Sequence, residues 1–130
     1  MKVWFMLALI VFPTNVLCLD ISKELICRAA IATINGRDFK TVKAYKANNN
    51  LIRLSYVRPS DGSKFNYQCK IEDDRVMWAM IFPEGPGRWR DNPLDEKIYF
   101  KYMNNGKTIR ITEKYSDGSE TIKACSIDCQ

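Results

Sequence analysis

The chain has 130 residues, 46% of them hydrophobic and 12% aromatic, which is the size and composition of one globular domain with an ordinary core. Its formal net charge is +5 and it contains no histidine, so His-based triads, imidazole metal sites and the usual general base near neutral pH are excluded. A glycine-rich phosphate loop and a Cys-x-x-Cys zinc motif are also absent from the sequence. We therefore expect no catalytic residues, no metal and no cofactor.

Residues 1–18 are predicted to form an export signal peptide. Lys2 precedes an apolar run from Val3 to Phe12, which is shorter than the roughly 20 apolar residues that cross a bilayer. Cys18 and the valine two residues before it satisfy the small-residue rule for signal cleavage, so we place the cut after Cys18. The alternative interpretation of this segment is a buried N-terminal helix.

Cleavage after Cys18 defines a mature chain, residues 19–130, which we predict to be a single domain without a transmembrane segment. Lys2 is removed with the signal, and its loss lowers the net charge from +5 to +4. This mild basicity permits an anionic partner. Alternating charges on solvated strand faces explain it equally well.

The mature chain keeps four cysteines, and an even number in an oxidising compartment predicts disulfide bonds. Four cysteines allow three connectivities. We favour Cys27–Cys69, which would tie the helix to the sheet, and Cys125–Cys129, which would close the tail. Because only three residues separate Cys125 from Cys129, their pairing requires a turn. The alternative leaves Cys125 as a buried free thiol.

Residues 20–34 are predicted to be a helix. Asp20 or Ser22 can cap its start, and apolar residues recur at spacings of three and four along "DISKELICRAAIATI". Gly36 follows as a stop signal. Few charged residues interrupt the apolar surface, so we expect this helix to be mostly covered.

After the predicted helix the apolar period changes from 3.6 to 2. In "KFNYQCKI", Phe65, Tyr67, Cys69 and Ile71 point to one face and polar residues to the other, which is the pattern of a half-buried strand. Clusters of Asn, Asp, Gly, Pro and Ser separate segments of this kind. Seven strands are predicted, over Phe39–Lys46, Leu51–Val57, Lys64–Ile71, Val76–Phe82, Lys97–Tyr102, Thr108–Tyr115 and Glu120–Cys125.

The tetrapeptide SDGS occurs twice, at residues 60–63 and 116–119. An Asn-Asn turn and a strand precede each copy and a strand with a cysteine follows it, so a three-stranded unit repeats over about 38–71 and 94–127. We interpret SDGS as a turn rather than as a catalytic or metal-binding element. Glycine adopts left-handed backbone freely, and Asp and Ser side chains bond nearby amides.

The predicted fold class is α+β, with the N-terminal helix packed on a curled antiparallel meander of about seven strands. Two three-stranded repeats build the meander, and the strand at Val76–Phe82 joins them. A sheet with one apolar face must curl or be covered, and the helix is the only cover that the sequence offers.

The longest connection is "PEGPGRWRDNPLDE", residues 83–96. Three prolines and two glycines restrict its path, and it presents Arg88, Trp89, Arg90 and Asp91. Functional residues concentrate on loops held by rigid scaffolds, and a tryptophan between two arginines suits an aromatic or anionic partner. We therefore predict that these four residues bind a partner.

A structural role for the same segment is the alternative. Trp89 would plug an open end of the sheet, and the arginines would pair with neighbouring acids, Arg90 with Asp91 or Arg88 with Glu96.

Two groups of carboxylates leave further interpretations open. Residues Glu72–Asp74 lie in a predicted turn, where they would bind Ca²⁺ weakly or simply be solvated. Asp91, Asp95 and Glu96 are candidates for the acid pair of a glycosidase-like enzyme, which needs two carboxyl groups at a set separation.

Several segments together resemble a family of small exported bacterial proteins that has no established activity. They are "CRAAIAT" with "GRD", "YVRPSDG", "GRWRD" followed by "PLDE", and "ITEKYSDGS". The resemblance covers nearly the whole mature chain and implies a protein of a Gram-negative bacterium, located in the periplasm or secreted. The tail "CSIDC" is an addition to the family pattern.

Three hypotheses of function follow from these features. The first is a non-enzymatic binding module of the cell envelope, inhibitor- or immunity-like, that recognises a protein or an anionic envelope polymer through residues 88–91. The second is a carrier of a small apolar ligand, with a cavity lined by Phe65, Tyr67, Trp78 and Phe82. The third is a carboxylate hydrolase. Nucleic acid is not an expected partner, and the oligomeric state stays open.

Overall fold

One helix followed by eight antiparallel strands makes up the computed structural model, which describes residues 22–127. The predicted signal peptide, its cleavage site, Asp20 and Cys129 lie outside the described residues. The α+β fold class is confirmed. The elements are α1 (Ser22–Asn35), β1 (Lys43–Asn48), β2 (Leu51–Val57), β3 (Lys64–Glu72), β4 (Arg75–Phe82), β5 (Gly85–Pro86), β6 (Lys97–Met103), β7 (Thr108–Lys114) and β8 (Glu120–Ser126).

Helix α1 ends at the predicted glycine. Gly36 has φ +63°, its N–H donates to the Thr33 carbonyl (3.2 Å), and the Arg37 N–H donates to the Ala32 carbonyl (2.8 Å). This is the Schellman arrangement, which a residue without a side chain adopts readily. The expected covering of the helix is confirmed, because nearly every residue from Leu25 to Thr33 is buried.

The sheet is a meander in which consecutive strands pair, in the order β1-β2-β3-β4-β6-β7-β8. The two-residue strand β5 pairs with β4 alone. Strands β1 and β8 form the two edges, so the sheet is open. Helix α1 contacts β1, β2, β3, β4, β6 and β7, so one helix covers most of the width of the sheet.

Along each strand, alternate side chains point to opposite faces of the sheet. We call the face that packs on α1 the helix face, and the opposite one the outer face. Leu54, Tyr67, Trp78 and Ile111 are buried on the helix face and belong to the core cluster that includes α1. Burial of these side chains supplies the main driving force for holding helix and sheet together.

The predicted Cys27–Cys69 disulfide is confirmed, with an S–S distance of 2.04 Å, and it ties α1 to β3. Cys125 is a buried cysteine with no disulfide partner among the described residues. Because Cys129 lies outside them, the Cys125–Cys129 pairing stays a prediction.

The turn interpretation of SDGS is confirmed. The copies connect β2 to β3 and β7 to β8, and their glycines, Gly62 and Gly118, have φ of +73° and +91°. In each copy the aspartate accepts a hydrogen bond from the backbone N–H two residues later, at 3.0 Å in the first and 2.9 Å in the second. The two three-stranded units are thus β1–β3 and β6–β8, joined by β4.

The start of the first strand differs from its prediction. Residues Phe39–Thr41 form a single 3₁₀ turn, and β1 begins only at Lys43. Asp38 caps this turn by accepting a hydrogen bond from the Lys40 N–H (3.1 Å). A local capping interaction therefore overrides the alternation on which the longer strand was based.

Candidate functional site

The connection between β4 and β6, residues 83–96, is here called the Trp89 loop. Strand β6 pairs with β4 only at Arg75 and Val76, which leaves the rest of that edge of β4 to the loop. After β5, the Gly87 N–H donates to the Met80 carbonyl and the Arg90 N–H donates to the Trp78 carbonyl, both at 2.8 Å. Backbone hydrogen bonds therefore hold the first half of the loop along β4.

Asp95 anchors the second half of the loop. Its carboxylate is only 8% exposed and accepts two hydrogen bonds from the Arg88 guanidinium, at 2.7 and 3.0 Å. It also accepts one from the Asn92 N–H at 3.0 Å. The Arg88 hydrogen bonds, with help from the Asn92 N–H and the nearby Arg90 charge, hold the pKa of Asp95 well below its ordinary value of 3.8.

Both arginines of the loop have partners within the protein. Arg90 lies 3.3 Å from Asp95 and 3.6 Å from Glu96 as an ion pair, and its guanidinium stacks 5.0 Å from the centre of the Trp78 ring. The pairings suggested for the structural role, Arg90 with Asp91 and Arg88 with Glu96, are wrong. The loop turns back on itself, and this turn brings Asp95 to both arginines.

Trp89 lies on the outer face of the sheet. The Lys70 ammonium is 4.5 Å from the centre of the Trp89 ring, and Lys70 pairs across the strands with Met77 on that face. The outer-face residues Gln68, Met77 and Ala79 are buried, although α1 is on the other side. The indole ring itself is half-buried and outside the core cluster. Trp89 thus covers part of a face rather than the end of a sheet.

The other predicted binding residues are placed differently. Asp91 is exposed, and among the described residues it forms no ion pair. Arg88 keeps 56% of its side chain exposed while it binds Asp95. Arg90 points inward to Trp78, so it anchors the loop. The structure therefore brings Trp89, Lys70 and the open side of Arg88 to the surface.

Two exposed apolar side chains in this region were not predicted. Leu94 is 83% exposed and Phe82, at the end of β4, is 42% exposed. Leu94 follows Pro93 in a segment without helical or strand periodicity, and a large apolar residue in such a segment is the one available sequence signal. Both add apolar surface near the loop.

The residues proposed for a ligand cavity do not share one environment. Tyr67 and Trp78 are buried with their ring centres 5.9 Å apart, whereas Phe65 is half-buried and Phe82 is exposed. The inclusion of Phe82 in an interior cavity is therefore wrong, because this residue is the last of β4 and its side chain is exposed at the end of the strand.

The carboxylates are placed in three ways. Asp95 and Glu96 are engaged by arginines, and Asp91 is exposed. Glu72–Asp74 lie exposed around the β3–β4 turn, where Glu72 is 3.6 Å from the Lys70 ammonium. Within residues 22–127 no three Cys, Asp or Glu side chains converge in a way that would hold a metal ion.

Asp95→Asn is expected to lower the melting temperature at pH 7, because the amide lacks the charge that binds both arginines. The folded-state pKa of Asp95 lies below its unfolded value of 3.8, so its contribution is present above pH 3.8 and is lost as the pH falls further. When melting temperatures are measured from pH 7 to pH 2, the difference between the two proteins should therefore shrink as the pH falls below about 4. Asp91→Asn is the control and should change neither the melting temperature nor its pH dependence. A constant difference between wild type and Asp95→Asn at all pH values would contradict the assignment.

No helix within the described part of the chain is long and apolar enough to cross a membrane. Comparison of the chain with family models, with curated proteins and with solved structures finds no match. The resemblance to exported bacterial proteins therefore stays a prediction, and the function has to be inferred from the site itself.

Proposed function

We propose that the protein is a non-enzymatic binding module that contacts a partner protein through the Trp89 loop. The observation that carries this proposal is a half-buried tryptophan on a loop that is held on both sides. Backbone bonds to β4 hold the segment before Trp89, and the ion pairs of Asp95 hold the segment after it. A fixed aromatic side chain loses little entropy on binding, which suits it as an anchor.

The chemistry of the loop supports a protein rather than a polyanion as its partner. Arg88 and Arg90 are already neutralised by Asp95 and Glu96, and Asp91 adds a free negative charge. Trp89 and the exposed Leu94 offer apolar contact area. Interfaces between proteins typically combine an aromatic anchor with a surrounding polar rim.

We also propose a location outside the cytoplasm, which fits a binding module of this kind. The Cys27–Cys69 disulfide is typical of proteins from an oxidising compartment, and this agrees with the export signal expected from the first 18 residues. In the periplasm or outside the cell, an inhibitor- or immunity-like role requires binding alone and no catalytic group.

Trp89→Ala is expected to abolish capture of the partner from an extract of the producing cells, while the melting temperature changes by less than about 4 °C. Tyr45→Ala is the matched control, because Tyr45 is an exposed aromatic on β1, remote from the loop in the sheet order. The captured proteins would be identified by mass spectrometry on wild type and both variants.

Two results would contradict the proposal. If Trp89→Ala captures the same proteins as wild type, the loop is not the contact surface. If Trp89→Ala lowers the melting temperature by much more than Tyr45→Ala does, the main role of the ring is to cover the outer face of the sheet.

A further inference from the structure

A second surface lies on the outer face of the other half of the sheet. Five cations surround Tyr99 there and form what we call the basic patch: Arg75, Lys97, Lys101, Arg110 and Lys114. The strand register places Lys97 directly opposite Lys114 and Lys101 directly opposite Arg110, while Arg75 is opposite Tyr99 itself. The patch is independent of the Trp89 loop, and its proposed role goes beyond the function proposed above.

The arrangement of these charges is unfavourable for folding. Like charges directly opposite each other destabilise an antiparallel pair of strands, and here two such pairs lie on one face of the same two strands. Among the described residues the patch has one ion pair with a carboxylate, between Lys114 and Glu120 at 3.6 Å. The Nε atoms of Arg75 and Arg110 are buried without a hydrogen-bond partner. Arg75, Lys97, Lys101 and Arg110 thus have no carboxylate partner among the described residues, and their charge is available to a ligand at the surface.

Tyr99 keeps the cations of the patch close together. The Lys114 ammonium is 5.2 Å and the Arg75 guanidinium 5.9 Å from the centre of its ring, within the range of cation–π attraction. The groove at the patch has a volume of about 340 Å³ and runs across β6, β7 and β8. Three cations, Lys101, Arg110 and Lys114, line it together with two carboxylates, Asp74 and Glu120. Another open groove, of about 440 Å³, lies beside Cys125, away from the patch.

We propose that this groove binds an anionic polysaccharide, that is, a sugar chain carrying sulfate or phosphate groups. Lys97 and Lys101 are four residues apart on β6, so the two like-charge pairs are separated by about 13 Å along the strands. A single small anion reaches only one of these pairs, whereas a chain with repeated oxyanions reaches both. Oxyanions accept the hydrogen bonds that the arginines and lysines offer.

Two other polyanions fit the patch less well. Single-stranded nucleic acid is usually bound by exposed aromatic rings on which bases stack, and here cations lie against the ring of Tyr99. A lipid bilayer presents a flat surface of headgroups, whereas three cations of the patch, Lys101, Arg110 and Lys114, line a groove. A flexible charged sugar chain can follow that groove.

Lys101→Glu tests the proposal and should not destabilise the fold. It replaces the like-charge Lys101–Arg110 pair with an opposite-charge Glu–Arg110 pair, so the melting temperature should stay at or above that of wild type. Fluorescein-labelled heparin, a sulfated polysaccharide, is the probe in anisotropy titrations at fixed ionic strength. We expect Lys101→Glu to weaken heparin binding at least tenfold, because it places a carboxylate against the bound oxyanions.

Lys43→Glu is the matched control. It makes the same change in net charge on the outer face of β1, where Lys43 is opposite Ser55, and it should leave heparin affinity within twofold of wild type. An equal loss in both variants would show that net charge alone attracts heparin and would overturn the proposal. Trp89→Ala should bind heparin as wild type does. The capture assay therefore tests the protein-partner proposal and the heparin titration tests this one, and either proposal can fail without the other.

Further probes test whether the anionic groups must be carried on a sugar chain. A phosphorylated mannan should compete with heparin, and uncharged dextran should not. Single-stranded DNA and vesicles of phosphatidylglycerol should bind at least tenfold more weakly than heparin at the same ionic strength. Binding of either at the affinity of heparin would overturn the assignment to a polysaccharide.

Discussion

Replacing Cys27 and Cys69 together with alanine is expected to lower the free energy of unfolding by about 4 kcal/mol. The two residues are 42 positions apart, and cross-linking a segment of that length removes a corresponding amount of conformational entropy from the unfolded chain. Both residues are fully buried, and alanine avoids placing a hydroxyl in the core. Urea denaturation of the oxidised wild type and of the double variant measures the difference directly.

The same variant provides a control for the other cysteines. Reduction of wild type should bring its urea midpoint down to that of the double variant. Any remaining effect of reductant on the double variant would report a further disulfide, such as the predicted Cys125–Cys129 bond. A loss below about 1 kcal/mol in the double variant would contradict the entropic account, since a bond across 42 residues would then constrain the unfolded chain very little.

Strands such as β2 could be predicted closely because they have one apolar face. In β2, Ile52, Leu54 and Tyr56 are buried and the residues between them are not, so burial follows the alternation that the sequence displays. The SDGS turns could be predicted equally well, because left-handed glycines and hydrogen bonds from backbone amides to aspartate are local features. Local chemistry and one-sided burial therefore define most of this fold.

The Trp89 loop could be located but not described from the sequence. Its prolines and glycines mark a loop, and nothing in its order of residues indicates that Asp95, rather than Asp91, binds Arg88. That choice depends on the loop folding back along the edge of β4, which is a tertiary arrangement. The position of the Trp89 ring beside Lys70 on the outer face has the same origin.

The basic patch was not predicted from the sequence, and the reason differs from that for the Trp89 loop. Alternation does place Lys97 and Lys101 on one face of β6, and Arg110 and Lys114 on one face of β7, but it equally describes a solvated face with scattered charges. The clustering arises from the register between β6 and β7, which sets lysine opposite lysine and lysine opposite arginine. In a hairpin such as β6–β7 the register is set by the turn together with the apolar pattern of both strands, and the pattern of one strand taken alone does not contain it.

Trp78→Ala is expected to lower the free energy of unfolding by about 3–5 kcal/mol, the range for removing a large aromatic side chain from a core. Trp78 is buried under α1 beside Tyr67, and it also carries the Arg90 guanidinium of the Trp89 loop. The substitution should therefore weaken capture of the partner protein as well, although Trp89 itself is unchanged. Urea denaturation and the capture assay measure the two effects on the same samples.

Trp78→Phe is the matched variant that separates packing from polarity. The indole N–H of Trp78 is buried and finds no acceptor among the described residues, and an unsatisfied buried donor carries a penalty of about 1–3 kcal/mol. Phenylalanine keeps an aromatic surface for Arg90 and removes that penalty, so it should lose less than half of the stability that alanine loses and should retain partner capture. If Trp78→Phe destabilises the protein as much as Trp78→Ala does, the indole N–H has an essential partner and the ring does not act through packing alone.

If both variants capture the partner as well as wild type does, Trp78 is not needed to position the Trp89 loop. The backbone bonds to β4 and the Asp95 ion pairs are then sufficient to hold the loop in place.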